Sequence, residues 1–372
     1  MTGIVVHEWL ATTGGSENVL EEISTVFPDA PIVCLWDDNP SRFAPGRVHE
    51  TWLAKTPLRR AKAAALLFMP ATWRRLRNPL GATPDWILSS SHLFSHHARF
   101  RGVPSRVPHL AYVYTPARYI WSPELDQRGS SLVARLLASP LKALDRRRAQ
   151  NLQSIAAIST AVAQRIATYW GREAVVIYPP VDVDFFSQRS SALTPAESIA
   201  LENLPQRFVL GASRFIPYKR LDLVIAFGIA ANVDVVLAGS GPERSRLESA
   251  ALRHLGRVHF VDHPSRELLR ELYRRAEALI FPAHEDFGIM PVEAMAVGTP
   301  VVALDKGGTA ETVLDGVTGV LLRHFTDDEM RRAYRLLPDL QAVDCRQRAA
   351  EFSTARFRSE IADWVAKEGT SS

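Results

Sequence analysis

The feature that most limits what this chain can fold into is an alternation that runs once and then starts again. Short runs rich in β-branched and aromatic residues alternate with segments whose apolar residues recur every three or four positions, the signature of strands alternating with helices. The first series has strand-like runs at residues 4–6, 30–35, 85–89, 109–114 and 154–158, with a helical run through Val19, Leu20 and Ile23 after a Gly14-Gly15 turn. The second series begins beyond Tyr178-Pro179-Pro180-Val181, with strand-like runs at 208–210, 233–237, 258–261, 278–281 and 301–304. Strand–helix alternation predicts parallel α/β sheets with helices on both faces. A chain of 372 residues suits two such domains. The expected division is a first domain over 1–185, a second over 186–355, and a closing helix over 356–372 that crosses back onto the first. That helix carries Phe357, Ile361 and Trp364 on one face. Ligands in doubly wound sheets sit at the C-terminal ends of the strands, so two facing sheets are expected to hold a ligand in a central cleft.

Composition narrows the class further. The chain is 47% hydrophobic and 23% charged, as in ordinary globular proteins. Cys34 and Cys345 are too far apart in sequence for a disulfide framework or a metal spacing, which makes a reducing compartment the default. The opening Met-Thr-Gly-Ile-Val-Val-His-Glu has no basic leader and no long apolar run. The expected location is the cytoplasm, with a peripheral place on the inner face of the plasma membrane as the further option. Net charge is +4 but unevenly spread. Residues 51–84 hold Lys55, Arg59, Arg60, Lys62, Arg74, Arg75 and Arg77 and no carboxylate, and a second basic cluster is Lys142, Arg146, Arg147 and Arg148. Leu66, Met69, Trp73, Leu76 and Leu80 step at helical spacing, with Pro70 dividing them. Residues 55–80 are therefore expected either to cover the first domain's core or to lie as a helix on an anionic membrane surface. The basic residues lack a nucleic-acid motif, so no nucleic-acid partner is expected.

Two segments carry the chemistry. Residues 281–302 run from a strand through a loop into a helix expected to open at Pro291 and stop at Gly298 and Pro300. Glu285 lies in the loop and Glu293 in the expected first turn, so both carboxylates can face one crevice. Gly288 lets backbone N–H groups approach a ligand, and a helix N-terminus favours an anion. Alone, either glutamate reads as a solvated carboxylate or a partner for the helix dipole. Residues 211–220 follow a strand and precede a helix, and Arg214 and Lys219 project from that loop. Two cations suit a diphosphate, whereas Arg220 reads as surface charge.

Residues 281–302 resemble the paired-glutamate motif of family 4 retaining glycosyltransferases, which have the GT-B fold of two doubly wound Rossmann-like domains. The resemblance implies that Glu285 contacts the donor sugar and Glu293 holds the ribose, while Asp286, Phe287, Gly288, Ile289 and Met290 line the sugar and phosphates. It assigns Arg214 and Lys219 to the diphosphate and gives Lys219, Arg214 and Glu285 the catalytic roles. Gly14-Gly15-Ser16-Glu17 is similar to the family's first glycine-rich loop, and Gly239-Ser240-Gly241-Pro242 to its nucleotide-side loop. Lys306-Gly307-Gly308 and Glu311 follow the next strand in the same way. The likeness is nearly continuous from 209 to 322 and patchier before it. Residues 112–121 look like a stretch of GDP-mannose-dependent mannosyltransferases of surface polysaccharide assembly, but Tyr114 stands where those enzymes have the histidine that meets the donor sugar. The resemblance implies a hexosyltransferase, with mannose from GDP-mannose as the first expectation, acting on a saccharide or lipid-linked acceptor. It implies no cofactor and no metal.

Two other signals receive bland readings. Asp182-Val183-Asp184 spells a metal–nucleotide motif of other glycosyltransferases, yet here it follows a proline pair at the domain junction. His92, His96 and His97 lack further zinc ligands nearby in sequence, and a loop lining the acceptor cleft is expected. The chain lacks the G-x-G-x-x-G of a dinucleotide oxidoreductase after its first strand. The alternatives that stay open are another nucleotide-sugar donor, a nucleotide-sugar epimerase, and an inactive membrane-surface binding protein.

Overall fold

The computed structural model describes residues 2–12, 14–121, 132–188 and 192–369. The chain forms two compact units, one of residues 1–180 with 355–372 and one of residues 181–354.

The first unit holds a seven-stranded parallel sheet in the order β3-β2-β1-β4-β5-β6-β7. Its strands are β1 Gly3–His7, β2 Ile32–Cys34, β3 Val48–Glu50, β4 Trp86–Ser91, β5 His109–Val113, β6 Ser154–Ala157 and β7 Val175–Val176. All of β1 and β4 is buried, because helices cover both faces of a parallel sheet. That is why residues 4–6 of β1 and 86–88 of β4 read as continuous apolar runs and not as alternating ones. The edge strands β3 and β7 were not expected. They are short and partly exposed, and their Val-His-Glu and Val-Val carry too little pattern to show as buried strands. The closing helix Thr354–Gly369 buries Phe357, Ile361, Trp364 and Val365 within the first unit. The Trp364 indole N–H donates to Ser154 Oγ at 3.0 Å.

The stepping residues before β4 do not form one helix. Two short helices, Lys62–Ala65 and Met69–Trp73, take their place. Met69, Trp73 and Leu76 are buried in the unit's own core, so that face is not available to a bilayer. The exposed apolar side chains nearby are Trp52, Leu67 and Phe68. No helix among the described residues is long and apolar enough to cross a membrane.

The second unit holds a six-stranded parallel sheet in the order β10-β9-β8-β11-β12-β13. Its strands are β8 Phe208–Ala212, β9 Asp234–Ala238, β10 Val258–Val261, β11 Ala278–Phe281, β12 Val301–Leu304 and β13 Gly319–Leu322. Its core packs Val209, Phe215, Val224, Phe227, Leu237 and Ile280 together. Cys34 and Cys345 are buried free thiols.

Both sheets are wound outward in two directions from a central pair. In the first unit the chain order reverses between β1 and β4, and in the second between β8 and β11. At such a point the loops leaving adjacent strands turn to opposite faces, and a crevice opens beyond the C-terminal strand ends.

Candidate active site

The loops singled out by the sequence flank those two switch points. In the second unit, Arg214 and Lys219 follow β8, and Glu285 follows the adjacent β11. Lys219 lies in a 3₁₀ turn, Pro217–Lys219, just before the helix Leu221–Ala231. Its ammonium donates to Glu285 Oε1 at 2.5 Å and lies over the rings of Tyr218 and Phe281. Their side chains are only 13% and 21% exposed, so the pair is largely shielded from bulk water. Arg214 is exposed, and among the described residues its guanidinium reaches only the Tyr218 hydroxyl, at 3.5 Å. Arg220 is exposed and pairs with Asp222.

Glycines interlock the surrounding loops. Gly239 and Gly241 take φ of 137° and 150°, and a Cβ at either would overlap the Ser213 or Phe215 backbone. The Phe215 N–H donates to the Ser240 carbonyl at 2.7 Å, so the loops after β8 and β9 are tied main chain to main chain. A Cβ at Gly308 would overlap the Asp286 and Phe287 backbone, and the Gly308 N–H donates to the Glu285 carbonyl at 2.9 Å. The loops after β11 and β12 are therefore held as one surface. Asp286 and Phe287 are buried, which turns their side chains away from solvent. Ile289 and Met290 are half-buried at the start of their helix.

That helix runs Ile289–Val297, with Gly288 as its N-cap at φ 91° and no side-chain cap. The expected opening at Pro291 is thus corrected by two residues. Proline is tolerated anywhere in the first turn because those N–H groups have no intrahelical partner. Glu293 accordingly sits beyond the first turn. Its Oε2 accepts a hydrogen bond from the Tyr273 hydroxyl at 3.0 Å. Burial pushes its carboxyl up to about 7, and the Tyr273 hydrogen bond and the nearby Arg266 only partly offset this. Tyr273, from the helix Arg266–Arg275, is a site residue that the sequence does not announce. Its tie to Glu293 depends on two helices packing side by side. The Thr309 hydroxyl is also buried next to Gly288, without a hydrogen-bond partner.

In the first unit, Gly14 is the N-cap of the helix Gly15–Val26, again without a side-chain cap. The preceding turn is stapled by buried Glu17, whose Oε1 accepts the Ala11 N–H at 3.0 Å and whose Oε2 accepts the Ser16 hydroxyl at 2.8 Å. A Cβ at Gly14 would overlap that carboxylate. Tyr114 follows β5, and its hydroxyl lies 3.1 Å from the Ser16 carbonyl and 2.9 Å from Ser90 Oγ. Burial raises it well above the ordinary phenol value, so it stays neutral. Beside it stands His92, whose ring lies 4.9 Å from that of Trp9 and 6.3 Å from that of Tyr114. Burial lowers the His92 imidazole to about 3.

His96 and His97 depart from expectation. They do not line an exposed loop but are both 2% exposed, inside the unit. Asp145, on the helix Leu132–Ala149, reaches them: its Oδ1 lies 3.0 Å from Nε2 of each. Its Oδ2 accepts the indole N–H groups of Trp121 at 2.6 Å and Trp170 at 2.7 Å. His96, His97 and Asp145 could present ligands to a metal, but hydrogen bonds from His97, Trp121 and Trp170 converge on the one carboxylate and satisfy it as a buried anion. Its partners hold Asp145 well below the usual carboxylate range despite burial. Asp145→Asn would turn amide hydrogens toward those donors. It is expected to destabilise the first unit by about 3 kcal/mol, read as a lower thermal unfolding midpoint. Asp182 of the D-x-D run caps the helix Val183–Ser187 and pairs with Arg266 at 2.8 Å.

Two parallel Rossmann-like units with these loops define a GT-B architecture. Solved structures agree over the whole chain. The structure of HepE from Anabaena in complex with UDP-glucose aligns with a TM-score of 0.66 at 19% identity, covering 98% of this chain and 99% of that one. Sucrose-phosphate synthase from Thermosynechococcus elongatus aligns with a TM-score of 0.70 at 18% identity, covering 100% of each. Residues 13–185 match Glycosyltransferase Family 4, and residues 197–353 match Glycosyl transferases group 1. The chain thus carries a glycosyltransferase family domain in each half. It is similar to the D-inositol 3-phosphate glycosyltransferase of Mycolicibacterium gilvum, 36% identical over 163 residues, 41% of this chain and 36% of that protein. The enzyme of the same name from Salinispora tropica is 33% identical over 216 residues, 50% of this chain and 45% of its own length. The matched stretch thus spans less than half the length of either relative.

Proposed function

We propose that this chain moves a hexosyl group from a nucleoside diphosphate sugar to an acceptor hydroxyl, with retention of anomeric configuration, in cell-surface glycan synthesis. The observation that carries this reading is the shielded Lys219–Glu285 pair at the second sheet's switch point, with Arg214 on the same loop. In this reading the diphosphate lies against Arg214 and Lys219, the sugar hydroxyls against Glu285, and the ribose against Glu293. As the bond from the anomeric carbon to the phosphate oxygen breaks, its electron pair goes to the diphosphate. Fixed cations gain more from that charge in the transition state than in the ground state. The acceptor hydroxyl attacks on the face being vacated and gives its proton to a phosphate oxygen. The carboxylates hold the sugar and ribose, and the two cations do the charge neutralisation without a metal.

Mannose from GDP-mannose is the first reading of the donor, on the resemblance of residues 112–121. A UDP-hexose is the second. Tyr114 favours it, because the hydroxyl in the histidine's place is already engaged by Ser16 and Ser90, and HepE was solved with UDP-glucose. The acceptor is a saccharide, a lipid-linked saccharide or, following the name of the relatives, a phosphorylated inositol. Thermal unfolding in the presence of GDP-mannose, UDP-glucose and other nucleotide sugars tests the reading. A donor at 100 times its dissociation constant adds about 2.7 kcal/mol. A rise with GDP-mannose alone selects the first donor, a rise with UDP-glucose the second, and no rise with any nucleotide sugar refutes the proposal. Incubating the responding donor without an acceptor separates transfer from epimerisation.

A further inference from the structure

The two basic clusters of the sequence meet in the first unit, away from its switch point. Arg74 from one cluster and Arg148 from the other line a cavity of about 40 Å³, together with Arg99, Ser105, His97 and His109. None of the described residues lining it is a carboxylate. Arg74 and Arg148 have no hydrogen-bonded or ion-paired side-chain partner among the described residues, and Arg99 donates to Ser105 Oγ at 2.5 Å. All three arginines are half-buried. Burial, and after it the charge of neighbouring arginines, pushes Arg74 and Arg148 below the ordinary guanidinium value. Like charges gathered around a partly open pocket are unfavourable unless something there compensates them. Asp145 cannot do so without giving up its donors His97, Trp121 and Trp170.

His97 supplies a second, independent indication. Its Nε2–H is committed to Asp145, which leaves Nδ1 as a bare lone pair. That nitrogen is buried and has no hydrogen-bond partner among the described residues, and His97 lines the cavity. The ring is neutral near pH 7, because burial lowers it to about 4. The site therefore asks for a ligand with several anionic acceptor oxygens and one O–H donor. Hydrogen phosphate and the singly protonated form of a phosphomonoester have both. A cavity of about 40 Å³ takes about three water-sized spheres, which suits one tetrahedral group and excludes a sugar nucleotide.

We propose that this cavity is a phosphate-binding site, in which Arg74, Arg99 and Arg148 hold the oxygens of a single phosphate group and His97 Nδ1 accepts its hydroxyl. His109 begins β5, whereas Gly14 and Tyr114 follow the far ends of β1 and β5. The site is thus about a strand's length, roughly 15 Å, from the first sheet's switch point. It does not depend on the donor reading.

The test is a titration with inorganic phosphate at fixed ionic strength, balanced with chloride, followed by unfolding temperature and by ³¹P line broadening. The wild-type chain should show saturable stabilisation and broadening. Arg74→Gln and Arg148→Gln should weaken both by roughly tenfold or more. In phosphate-free buffer the same variants should be at least as stable as the wild type, because a like-charge repulsion has been removed. Lys55→Gln, outside the cavity, should leave the phosphate response intact. Flotation with phosphatidylcholine vesicles carrying phosphatidic acid, against vesicles of equal charge carrying phosphatidylglycerol, distinguishes the source. A preference for phosphatidic acid that Arg148→Gln removes assigns the site to a lipid headgroup, and saturation by inorganic phosphate without that preference assigns it to a soluble phosphate group. A wild-type chain that responds to phosphate no more than to chloride, by both unfolding and ³¹P broadening, overturns the proposal even if a variant fails to fold.

Discussion

Lys219→Ala is expected to lower turnover about a hundredfold or more while leaving the chain folded. The ammonium is held in place before any donor arrives, by Glu285 Oε1 at 2.5 Å and by the faces of Tyr218 and Phe281. A charge held in advance needs no reorganisation when the diphosphate departs, and losing one such group raises a barrier by roughly 3–4 kcal/mol. Glu285 would also lose its partner, but at 21% side-chain exposure it can recruit water. The unfolding midpoint should therefore move far less than the rate. Lys219→Arg should not restore turnover, because a planar guanidinium does not fit the place of a compact ammonium between two rings. Single-turnover rates beside a melting curve are the measurement. Near-wild-type turnover in a folded Lys219→Ala chain would remove this lysine from the mechanism.

Glu293→Gln is expected to make the protein more stable at pH 8 and a poorer binder of its donor. The Glu293 carboxyl titrates near 7 in the folded chain, against 4.5 for the ordinary group, and the cause is burial. Below about pH 4.5 it is protonated in both folded and unfolded states and contributes nothing to the balance. As pH rises from there to 7 the unfolded chain ionises first, so stability falls. Above 7 the folded chain carries the whole penalty, at most about 3 kcal/mol. A neutral amide removes it, so the gain should be full at pH 8 and absent at pH 4. Donor binding should move the other way. Only the ionised carboxylate accepts freely from ribose hydroxyls, so the wild-type donor KM should rise as pH falls through 7. In the variant it should be raised roughly tenfold or more at pH 8 and be nearly flat with pH. A variant that is less stable at pH 8 would show that the carboxylate is not penalised by burial.

Much of the architecture was legible because parallel strands covered on both faces must be apolar throughout, and ten of the strands announced themselves in that way. Val48–Glu50, Val175–Val176 and Gly319–Leu322 did not: the first two are partly exposed edges with no such requirement, and the third is a four-residue run opening on glycine. The helical stepping of Met69, Trp73 and Leu76 was real, but periodicity reports only that a face is apolar. Whether that face meets a membrane or the chain's own interior depends on what packs over it, and here it is the core of the first unit.

The sequence by itself determined the two parallel sheets and the loop positions of Arg214, Lys219, Glu285 and Gly288, because local pattern and turn chemistry act over a few residues. Tertiary structure alone decided which groups meet. Lys219 finds Glu285 because β8 and β11 are neighbours at a reversal of strand order. Glu293 acquires its raised carboxyl from burial, which the hydrogen bond from Tyr273 on another helix only partly offsets. Asp145 joins His96 and His97 across the first unit, and Arg74 faces Arg148. Each of these pairings sets a charge against a partner distant in sequence, and Coulomb and desolvation energies depend on separation in space and on burial, which no local run of residues encodes.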